Sequence, residues 1–403
     1  MPLARSGPEK LASRTISRRN FLKASSFVVL APSIVEAITL DGSASRPAVP
    51  RRRLRDLGII IGELAPGSWN AITDVPGVRV GHCTRVEGAG ETAVRTGITA
   101  VFPNADVLRD RVAAAHFIMN GNGEMTGTGA IDFAGLLESP IFLTDTSNLG
   151  RVMNGAISWH LKTYAEIGDS MPMPVPVVGE TFGAFLHDGA GRHLHDEEVF
   201  AAIAAAATGP VAEGAVGGGT GMVCYEFKGG IGTSSRVLPA NHGGYKIGVL
   251  VQANHGSRED LTIKGVPVGR EITELMPVTP RKEKSILLIG ATDAPMLPSQ
   301  LQRLCRRMAV GLARTGSRFS HGSGDLLLFF STGLHLQRDA TEARFEIFND
   351  EWLNIAYQGA IEASEEAILN ALCMAETVTG VNGNTAFALP IERVLSIMRR
   401  HGN

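Results

Sequence analysis

The sequence predicts an α/β protein in which stacked β-sheets lie between layers of helices. Short apolar segments, each bounded by glycine, proline or asparagine, alternate with longer amphipathic segments. The short segments are almost continuously apolar, so the predicted strands need cover on both faces. Because 44% of the 403 residues are apolar, the chain can bury a sizeable core. These observations favour sheets sandwiched by helices over an open antiparallel sheet.

The individual elements follow from the same pattern. Short apolar runs between turn residues predict strands at 96–103, 117–121, 139–145, 173–182, 245–256, 284–295 and 324–333. Apolar residues at helical spacing, with caps or charges at the ends, predict helices at 196–207, 297–316 and 348–375. The glycine-rich segment 214–236 has neither the GxxxxGK(S/T) nor the GxGxxG spacing of a phosphate cradle. We expect a tightly turned loop that lines a site, since glycine permits positive φ angles and close backbone approach.

The amino-terminal segment has the features of an export signal. SRRNFLK, at 17–23, carries twin arginines before a short apolar run, which is the pattern of a twin-arginine signal. That run is too short and too interrupted to span a membrane. We therefore assign 1–50 to a signal and linker, and 51–403 to a single catalytic domain. The expected partner is the twin-arginine export machinery, no membrane anchor is expected, and the expected location is periplasmic or secreted.

Composition argues against several other functions. A net charge of −2, from 38 basic and 40 acidic residues, offers no broad electropositive face for nucleic acid. The four cysteines form no CxxC pair, and no HExxH motif occurs. The close histidine pair His193 and His195 lies in a polar segment and is better explained as a solvated loop than as a metal site. We predict no metal, no cofactor and no nucleic-acid partner.

Ser285 is the candidate nucleophile. It stands between the charged segment RKEK (281–284) and the apolar run ILLIGA, in a sequence without a GxSxG elbow or any local sign of a Ser-His-Asp triad. If the preceding peptide bond is cut, the new α-amino group, with an ordinary pKa of about 7.7 to 8.0, can act as general base for its own hydroxyl. The charged segment suits such a cut. The alternative is a strand-initiating serine that caps a backbone group.

Several long segments resemble the family of self-processing N-terminal nucleophile peptidases that includes DmpA and the β-peptidyl aminopeptidases. These segments lie at 55–82, 217–236, 247–256, 285–317 and 323–333, and include GGGTGMVCYEFKGGIGTSSR and SGDLLLFFSTG. The resemblance covers essentially the whole mature chain. It implies an αββα sandwich, a homo-oligomer, short peptides or aminoacyl amides as substrates, and self-cleavage into an α chain ending at Lys284 and a β chain, 285–403.

The resemblance also assigns roles to four residues. Ser285 is the nucleophile, and Ser323 and Asp325 form a relay beside it; residues i and i+2 of an extended segment face the same way. Asn254, in QANHG, supplies a side-chain amide that stabilises the oxyanion. Without the resemblance, SGD is an ordinary turn and Asn254 an ordinary strand-ending residue.

Three positions depart from the family pattern. Lys284 stands where glycine or asparagine commonly precedes the nucleophile, and its bulk hinders the N-to-O acyl shift. Glu180 matches a family acid, but Phe182 replaces a tyrosine or tryptophan and brings no hydroxyl. Asp145 replaces an amide, and its charge is available to a substrate ammonium or to an arginine such as Arg151. Glu180, Phe182 and Asp145 are the predicted substrate-binding residues.

The predicted reaction is removal of an N-terminal residue from a short peptide or aminoacyl amide through an acyl-enzyme on Ser285. One alternative is hydrolysis of a non-peptide amide on the same scaffold. Another is an uncleaved peptide-binding protein, motivated by Lys284, Phe182 and Asp145. The sequence leaves L-, D- and β-aminoacyl substrates open, because that choice depends on pocket shape.

Overall fold

Two β-sheets pack face to face and carry helices on their outer faces in the computed structural model, which describes residues 50–278 and 284–402. The predicted signal, up to residue 49, and residues 281–283 of the predicted cleavage segment lie outside the described residues. Residues from Pro50 onward form one unit. Within the described part of the chain, no helix combines the length and the apolar character needed to cross a membrane.

The described residues form fourteen strands and seven α-helices. The strands are β1 (Arg79–Glu87), β2 (Val94–Phe102), β3 (Asp110–Gly121), β4 (Leu136–Leu137), β5 (Ile141–Asp145), β6 (Val177–Thr181), β7 (Val223–Cys224), β8 (Phe227–Lys228), β9 (Gly230–Val237), β10 (Lys246–Asn254), β11 (Lys284–Thr292), β12 (Ser323–Gln337), β13 (Val378–Thr379) and β14 (Thr385–Ala386). The helices are α1 (Thr128–Ala134), α2 (Leu149–Thr163), α3 (Asp196–Ala204), α4 (Val268–Glu271), α5 (Pro298–Arg314), α6 (Leu353–Met374) and α7 (Ile391–Arg400).

The larger sheet has six strands in the order β4-β3-β12-β11-β10-β9. Its ladders are antiparallel except for β11 and β12, which pair in parallel. A parallel pair needs a crossover, and α5 provides it along the chain between the two strands. Together with α6, α5 covers the outer face of this sheet.

The smaller sheet has four strands in the order β1-β2-β5-β6, and α2 and α3 cover its outer face. The layers are therefore helix, sheet, sheet and helix, as the sequence predicts. The inner faces of both sheets meet in an apolar core that includes Leu143, Val177, Leu287 and Leu328. Each fully buried aliphatic side chain of this kind contributes about 1.5 to 3 kcal/mol of transfer free energy.

Strand β11 shows why its sequence is apolar at nearly every position. Ile286 and Leu288 face the helical layer, whereas Leu287 and Ile289 face the other sheet. A strand buried on both faces has no solvent side on which to place polar residues. Ser285 is therefore a polar residue at the head of a buried strand, with 6% of its surface exposed.

The glycine-rich segment 214–236 departs from the predicted loop. Its second half forms β9, so the prediction is wrong there. A Cβ at Gly232 would lie 2.0 Å from the carbonyl oxygen of Ala367. Glycine at this position lets α6 pack directly on β9, and the segment belongs to a strand because of packing rather than turn chemistry.

Candidate active site

Ser285 lies on the inner face of the larger sheet, between two neighbouring strands. The register places it opposite Asn254 of β10 and Gly324 of β12. The backbone N–H of Gly324 donates a 3.2 Å hydrogen bond to Ser285 Oγ. Because alternate residues of a strand share a face, Asn254 and Ser285 project toward the smaller sheet together. The hydroxyl and the Asn254 amide are therefore neighbours on one surface.

A cleft of about 280 Å³ opens beside Ser285. It is lined by Asn122, Gly123, Thr146, Glu180, Phe182, Ser285 and Gly322. Gly324 shapes this region, because a Cβ there would lie 2.5 Å from the carbonyl oxygen of Asn122. The cleft volume of about 280 Å³ is at the lower end for small-molecule sites, so the cleft suits a compact substrate group.

The side-chain amide of Asn254 is held in a defined orientation. Its Oδ1 accepts a 2.9 Å hydrogen bond from the backbone N–H of Val223, and its Nδ2 donates a 3.0 Å bond to the carbonyl of Phe182. The residue is 1% exposed. Because its oxygen faces Val223, the amide nitrogen is the end that lies toward the cleft-lining segment at Phe182. An N–H donor in a dry position next to a nucleophile can stabilise a developing oxyanion.

Ser323 and Asp325 form a buried hydrogen-bonded pair on β12. Ser323 Oγ donates to Asp325 Oδ1 at 2.6 Å, and Asn120 Nδ2 donates to Asp325 Oδ2 at 3.0 Å. Burial raises the pKa of the Asp325 carboxyl above its ordinary value, and these two hydrogen bonds oppose the rise. The two predicted relay residues are therefore in direct contact.

The register also shows how this pair relates to Ser285. Ser323 and Asp325 flank Gly324, the residue opposite Ser285, so their side chains lie on the other face of the sheet from the Ser285 hydroxyl. The backbone nitrogen of Ser285 lies between these two faces, in the plane of the sheet. That nitrogen is the atom that a cleavage before Ser285 would turn into an amine.

Glu180 places a carboxylate in the cleft. Its Oε1 accepts a 2.9 Å hydrogen bond from the backbone N–H of Glu124, and its Oε2 accepts one from the Thr146 hydroxyl. Burial raises the pKa of the Glu180 carboxyl, and these two hydrogen bonds oppose the rise. With 5% of its surface exposed, this carboxylate is a desolvated acceptor suited to an ammonium group.

Phe182 lines the same cleft with an apolar ring and is 38% exposed. Its backbone carbonyl, rather than its side chain, contacts the Asn254 amide. Phe182 therefore provides an apolar wall of the cleft and a backbone contact to Asn254. That contact does not need the hydroxyl that a tyrosine at this position would bring.

Asp145 lies at the end of β5, directly before the cleft-lining Thr146, and is 2% exposed. Its Oδ1 accepts a 2.9 Å hydrogen bond from the backbone N–H of Ser147. The Asp145 carboxylate also accepts hydrogen bonds from Asn148 Nδ2 at 2.7 Å and from the hydroxyls of Thr96 and Ser147. The structure thus places this carboxylate in the turn after β5, with its oxygens directed to that turn and to β2 rather than to Arg151.

The predicted cleavage site lies where β11 begins. The backbone of Lys284 pairs with Ser323, and Ser285 pairs with Gly324, so the Lys284–Ser285 peptide bond lies within the ladder with β12. Cleavage at this bond stays a prediction. Its position at the head of a strand means that the new amino terminus would remain held by the neighbouring strands.

The sequence reasoning missed Asn120, Asn122 and Thr146. Asn120 supports Asp325 and also donates to the carbonyl of Phe319 at 2.9 Å, while Asn122 donates to the carbonyl of Gly322 at 2.8 Å. A signal was present in NGNG, where asparagines alternate with glycines at the end of an apolar strand. Among residues 50–278 and 284–402, no group of three or more histidine, cysteine, aspartate or glutamate side chains is placed to hold a metal ion.

Two stacked sheets covered by helices, with Ser285 at the head of a central strand, form the architecture of this chain, which is a hydrolase of the N-terminal nucleophile fold. The sequence model of peptidase family S58 matches residues 70–386. The chain belongs to peptidase family S58.

Relatives support the same assignment. The β-peptidyl aminopeptidase BapA of Sphingosinicella xenopeptidilytica is 40% identical over 390 residues, which cover 92% of this chain and 95% of that protein. A β-aminopeptidase of a Burkholderia species has a solved structure with 43% identity and a TM-score of 0.82, covering 87% of this chain and 99% of that one.

A second solved structure is the L-aminopeptidase D-Ala-esterase/amidase of Ochrobactrum anthropi. It is 39% identical with a TM-score of 0.81, covers 87% of this chain and 99% of that one, and is described as a prototype of the serine aminopeptidases with a variant N-terminal nucleophile fold. The predictions of family, fold class and an N-terminal nucleophile serine aminopeptidase are confirmed.

Proposed function

We propose that this chain cleaves itself before Ser285 and then removes the N-terminal residue from short peptides and aminoacyl amides. The observation that carries the proposal is the position of Ser285. Its hydroxyl lies at the head of a buried strand, beside the Asn254 amide and at the edge of a cleft that contains the Glu180 carboxylate. A nucleophile, an oxyanion donor and an acceptor for a substrate ammonium thus occur together.

Self-cleavage would begin with attack of Ser285 Oγ on the carbonyl carbon of Lys284. The C–N bond breaks as a C–O ester bond forms, and the nitrogen of Ser285 takes up the hydroxyl proton. Water then hydrolyses the ester, which releases the Lys284 carboxylate and leaves Ser285 with a free hydroxyl and amine. One residue then carries both nucleophile and base.

In the mature enzyme the Ser285 amine accepts the hydroxyl proton as Oγ attacks the substrate carbonyl. Asn254 stabilises the oxyanion, and loss of one such donor typically costs about 3 to 4 kcal/mol in acyl transfer. The protonated amine then donates to the leaving amine. Water, deprotonated by the same amine, hydrolyses the acyl-enzyme.

Ser323 and Asp325 fix the environment of that amine. A carboxylate only accepts hydrogen bonds, so the Ser323 hydroxyl donates its proton to Asp325. The lone pairs on Ser323 Oγ then remain available to accept a hydrogen bond from the Ser285 amine. Hydrogen bonding of this kind favours the protonated amine that the reaction forms.

Substrate selection rests on Glu180 and Phe182. The Glu180 carboxylate would bind the free α- or β-ammonium of the substrate, which restricts the enzyme to N-terminal residues, and Phe182 would contact the side chain. The Asp145 carboxylate would add negative potential from behind the cleft. The small cleft favours short substrates.

The proposal extends to location and assembly. The SRRNFLK segment supports export through the twin-arginine pathway to the periplasm or beyond. The family resemblance supports a homo-oligomer. Pairing with identical subunits would further confine the cleft and exclude folded proteins.

Intact mass spectrometry of the purified protein and of Ser285→Ala tests the central step. We expect two chains in the wild type, the smaller beginning at Ser285, and a single chain in the variant. Release of N-terminal residues is then measured on L-, D- and β-aminoacyl anilides and on a pantetheine-like amide. A wild-type protein that stays intact and binds peptides without turnover would overturn the proposal, whereas turnover of the pantetheine-like amide alone would make it an amidase.

A further inference from the structure

Lys228 is a fully buried lysine whose donors all go to backbone carbonyls. Its Nζ donates to the carbonyls of Gly219 at 3.0 Å, Met222 at 2.8 Å and Gly229 at 2.7 Å. The side chain is 0% exposed. Burying an ammonium costs free energy unless it is compensated, so a lysine at this position needs an explanation.

Three acceptors around one nitrogen fit an ammonium, which has three N–H donors, better than a neutral amine, which has two. Burial opposes this by lowering the pKa of Lys228 to about 7. The cation is therefore present in slightly acid solution at a cost in stability. A charge retained against such a cost is more readily explained by a functional role than by folding.

Backbone hydrogen bonds already close the turns around Lys228, so these turns do not need the lysine to form. The backbone N–H of Met222 donates to the carbonyl of Gly219 at 3.2 Å, and that of Gly229 donates to the carbonyl of Met222 at 3.0 Å. Lys228 lies in β8, opposite Val223 of β7. The two-residue turn between these strands has positive φ angles at Tyr225 and Glu226, 50° and 59°, which fits the tight hairpin.

One peptide group connects Lys228 to the candidate oxyanion donor. The carbonyl of Met222 accepts from the Lys228 ammonium, and the N–H of the same peptide group, on Val223, donates to Asn254 Oδ1 at 2.9 Å. A cation at the carbonyl end strengthens the N–H at the other end, because hydrogen bonds in a chain polarise one another. The same effect then passes through the Asn254 amide to its Nδ2–H groups.

We propose that Lys228 is a positioning residue that orients and polarises the Asn254 amide through the Met222–Val223 peptide group. The proposal rests on the proposed role of Asn254 and extends it. Lys228 contacts neither substrate nor the reacting atoms. Its charge strengthens the donor that stabilises the oxyanion, so its loss lowers kcat and leaves KM nearly unchanged.

The test compares Lys228→Met, which removes every donor, with Lys228→Gln, which keeps donors without charge. Both are assayed at pH 6.5, below the wild-type Lys228 pKa of about 7, and rates are divided by the fraction of molecules that carry a free Ser285 amino terminus. We expect kcat to fall about 10- to 100-fold, less than the 10²- to 10³-fold typical of deleting an oxyanion donor, with KM within about twofold.

Tyr225→Phe is the matched control. It removes a buried 2.7 Å hydrogen bond between this hairpin and Thr315. The hydrogen bonds from Lys228 to Met222 and from Val223 to Asn254 are kept. We expect it to lower the unfolding temperature and leave kcat unchanged. If Tyr225→Phe lowers kcat as much as the Lys228 variants do, the effect belongs to the hairpin in general, and the inference is wrong.

A double-mutant cycle with Asn254→Ala gives the decisive readout. If Lys228 acts through Asn254, then Lys228→Met has no further effect on kcat in the Asn254→Ala background. Equal fold losses in both backgrounds overturn the inference. So does a Lys228 variant that stays uncleaved while Asn254→Ala cleaves itself. If both cleave themselves too slowly to yield mature enzyme for kcat, the same cycle is measured on their slow rates of self-cleavage. An Asn254→Ala enzyme with wild-type kcat would instead contradict the proposed role of Asn254.

Discussion

Replacing Asp325 by asparagine is expected to remove most of the activity while leaving the protein at least as stable as the wild type. Burial raises the pKa of Asp325, so the folded state holds its proton to higher pH than the unfolded chain does. The contribution of Asp325 to the free energy of unfolding is then greatest below its pKa in the unfolded chain, about 3.8. This contribution is lost as pH rises through the pKa in the folded state. At neutral pH the ionised carboxylate is a net cost, which the neutral amide avoids.

The loss of activity follows from hydrogen-bond direction. In Asp325→Asn the amide oxygen can still accept from Asn120, but the amide nitrogen then faces Ser323 and donates to it. Ser323 becomes an acceptor on that side, and its proton turns toward the Ser285 amine. A donor directed at the amine disfavours proton uptake. General acid–base catalysis contributes about 10²- to 10⁴-fold, and we expect kcat to fall about 100-fold, equivalent to about 2.7 kcal/mol.

The assay combines kcat with unfolding temperatures between pH 4 and pH 8. Asp74→Asn is the matched control, because Asp74 is also buried and accepts from the backbone N–H of Trp69 and Ala71 and from Ser235 Oγ. We expect this control to lose stability and keep kcat. The reasoning is refuted if Asp325→Asn keeps kcat within about threefold of the wild type, or if it loses as much stability as the control.

Two other predictions concern the cleft. Glu180→Gln is expected to raise KM about 10- to 100-fold, since a charged hydrogen bond to the substrate ammonium is worth about 1.5 to 3 kcal/mol. In the wild type KM should rise as pH falls through the raised pKa of Glu180, and steady-state kinetics of the variant should lack this dependence; an unchanged KM contradicts the assignment. Gly324→Ala is expected to slow self-cleavage, because its Cβ would meet the Asn122 carbonyl at 2.5 Å, whereas a Cβ at the control position Gly129 meets nothing within 4 Å. Mass spectrometry of newly made protein measures the intact fraction, and equal processing in the two variants would exclude this steric effect.

The strands that could be predicted from sequence are those buried on both faces. Runs such as ILLIG in β11 are unambiguous, because a strand without a solvent side is apolar throughout. Strand β1 was missed since RVGHCTRVE mixes apolar residues with charged and polar ones, and only Val80 and Gly81 of the strand are buried. Helix α2 was missed because it contains glycine at positions 150 and 155, which lowers helix propensity. Gly155 is explained by packing, as a Cβ there would lie 2.6 Å from Val199 Cγ2.

The sequence could predict candidate site residues but not their arrangement. Ser285 and Asn254 were both identified, yet their adjacency depends on β11 pairing with β10, which no local pattern specifies. Asp145 illustrates the limit more clearly. Its place in a motif makes it a predicted substrate-binding residue, and the structure adds that its carboxylate accepts hydrogen bonds from the turn after β5. A one-dimensional motif does not tell which way a side chain faces.

The position of β11 in the middle of the larger sheet has a consequence for how the mature enzyme would unfold. After cleavage, β11 and β12 belong to one chain, while β3 and β10, on either side of them, belong to the other. Folding of the precursor is a reaction of one molecule, but reassembly of the cleaved product requires two chains to meet. Recovery after heating should therefore depend on protein concentration, and the lifetime of the folded enzyme then depends on how slowly the shared sheet opens.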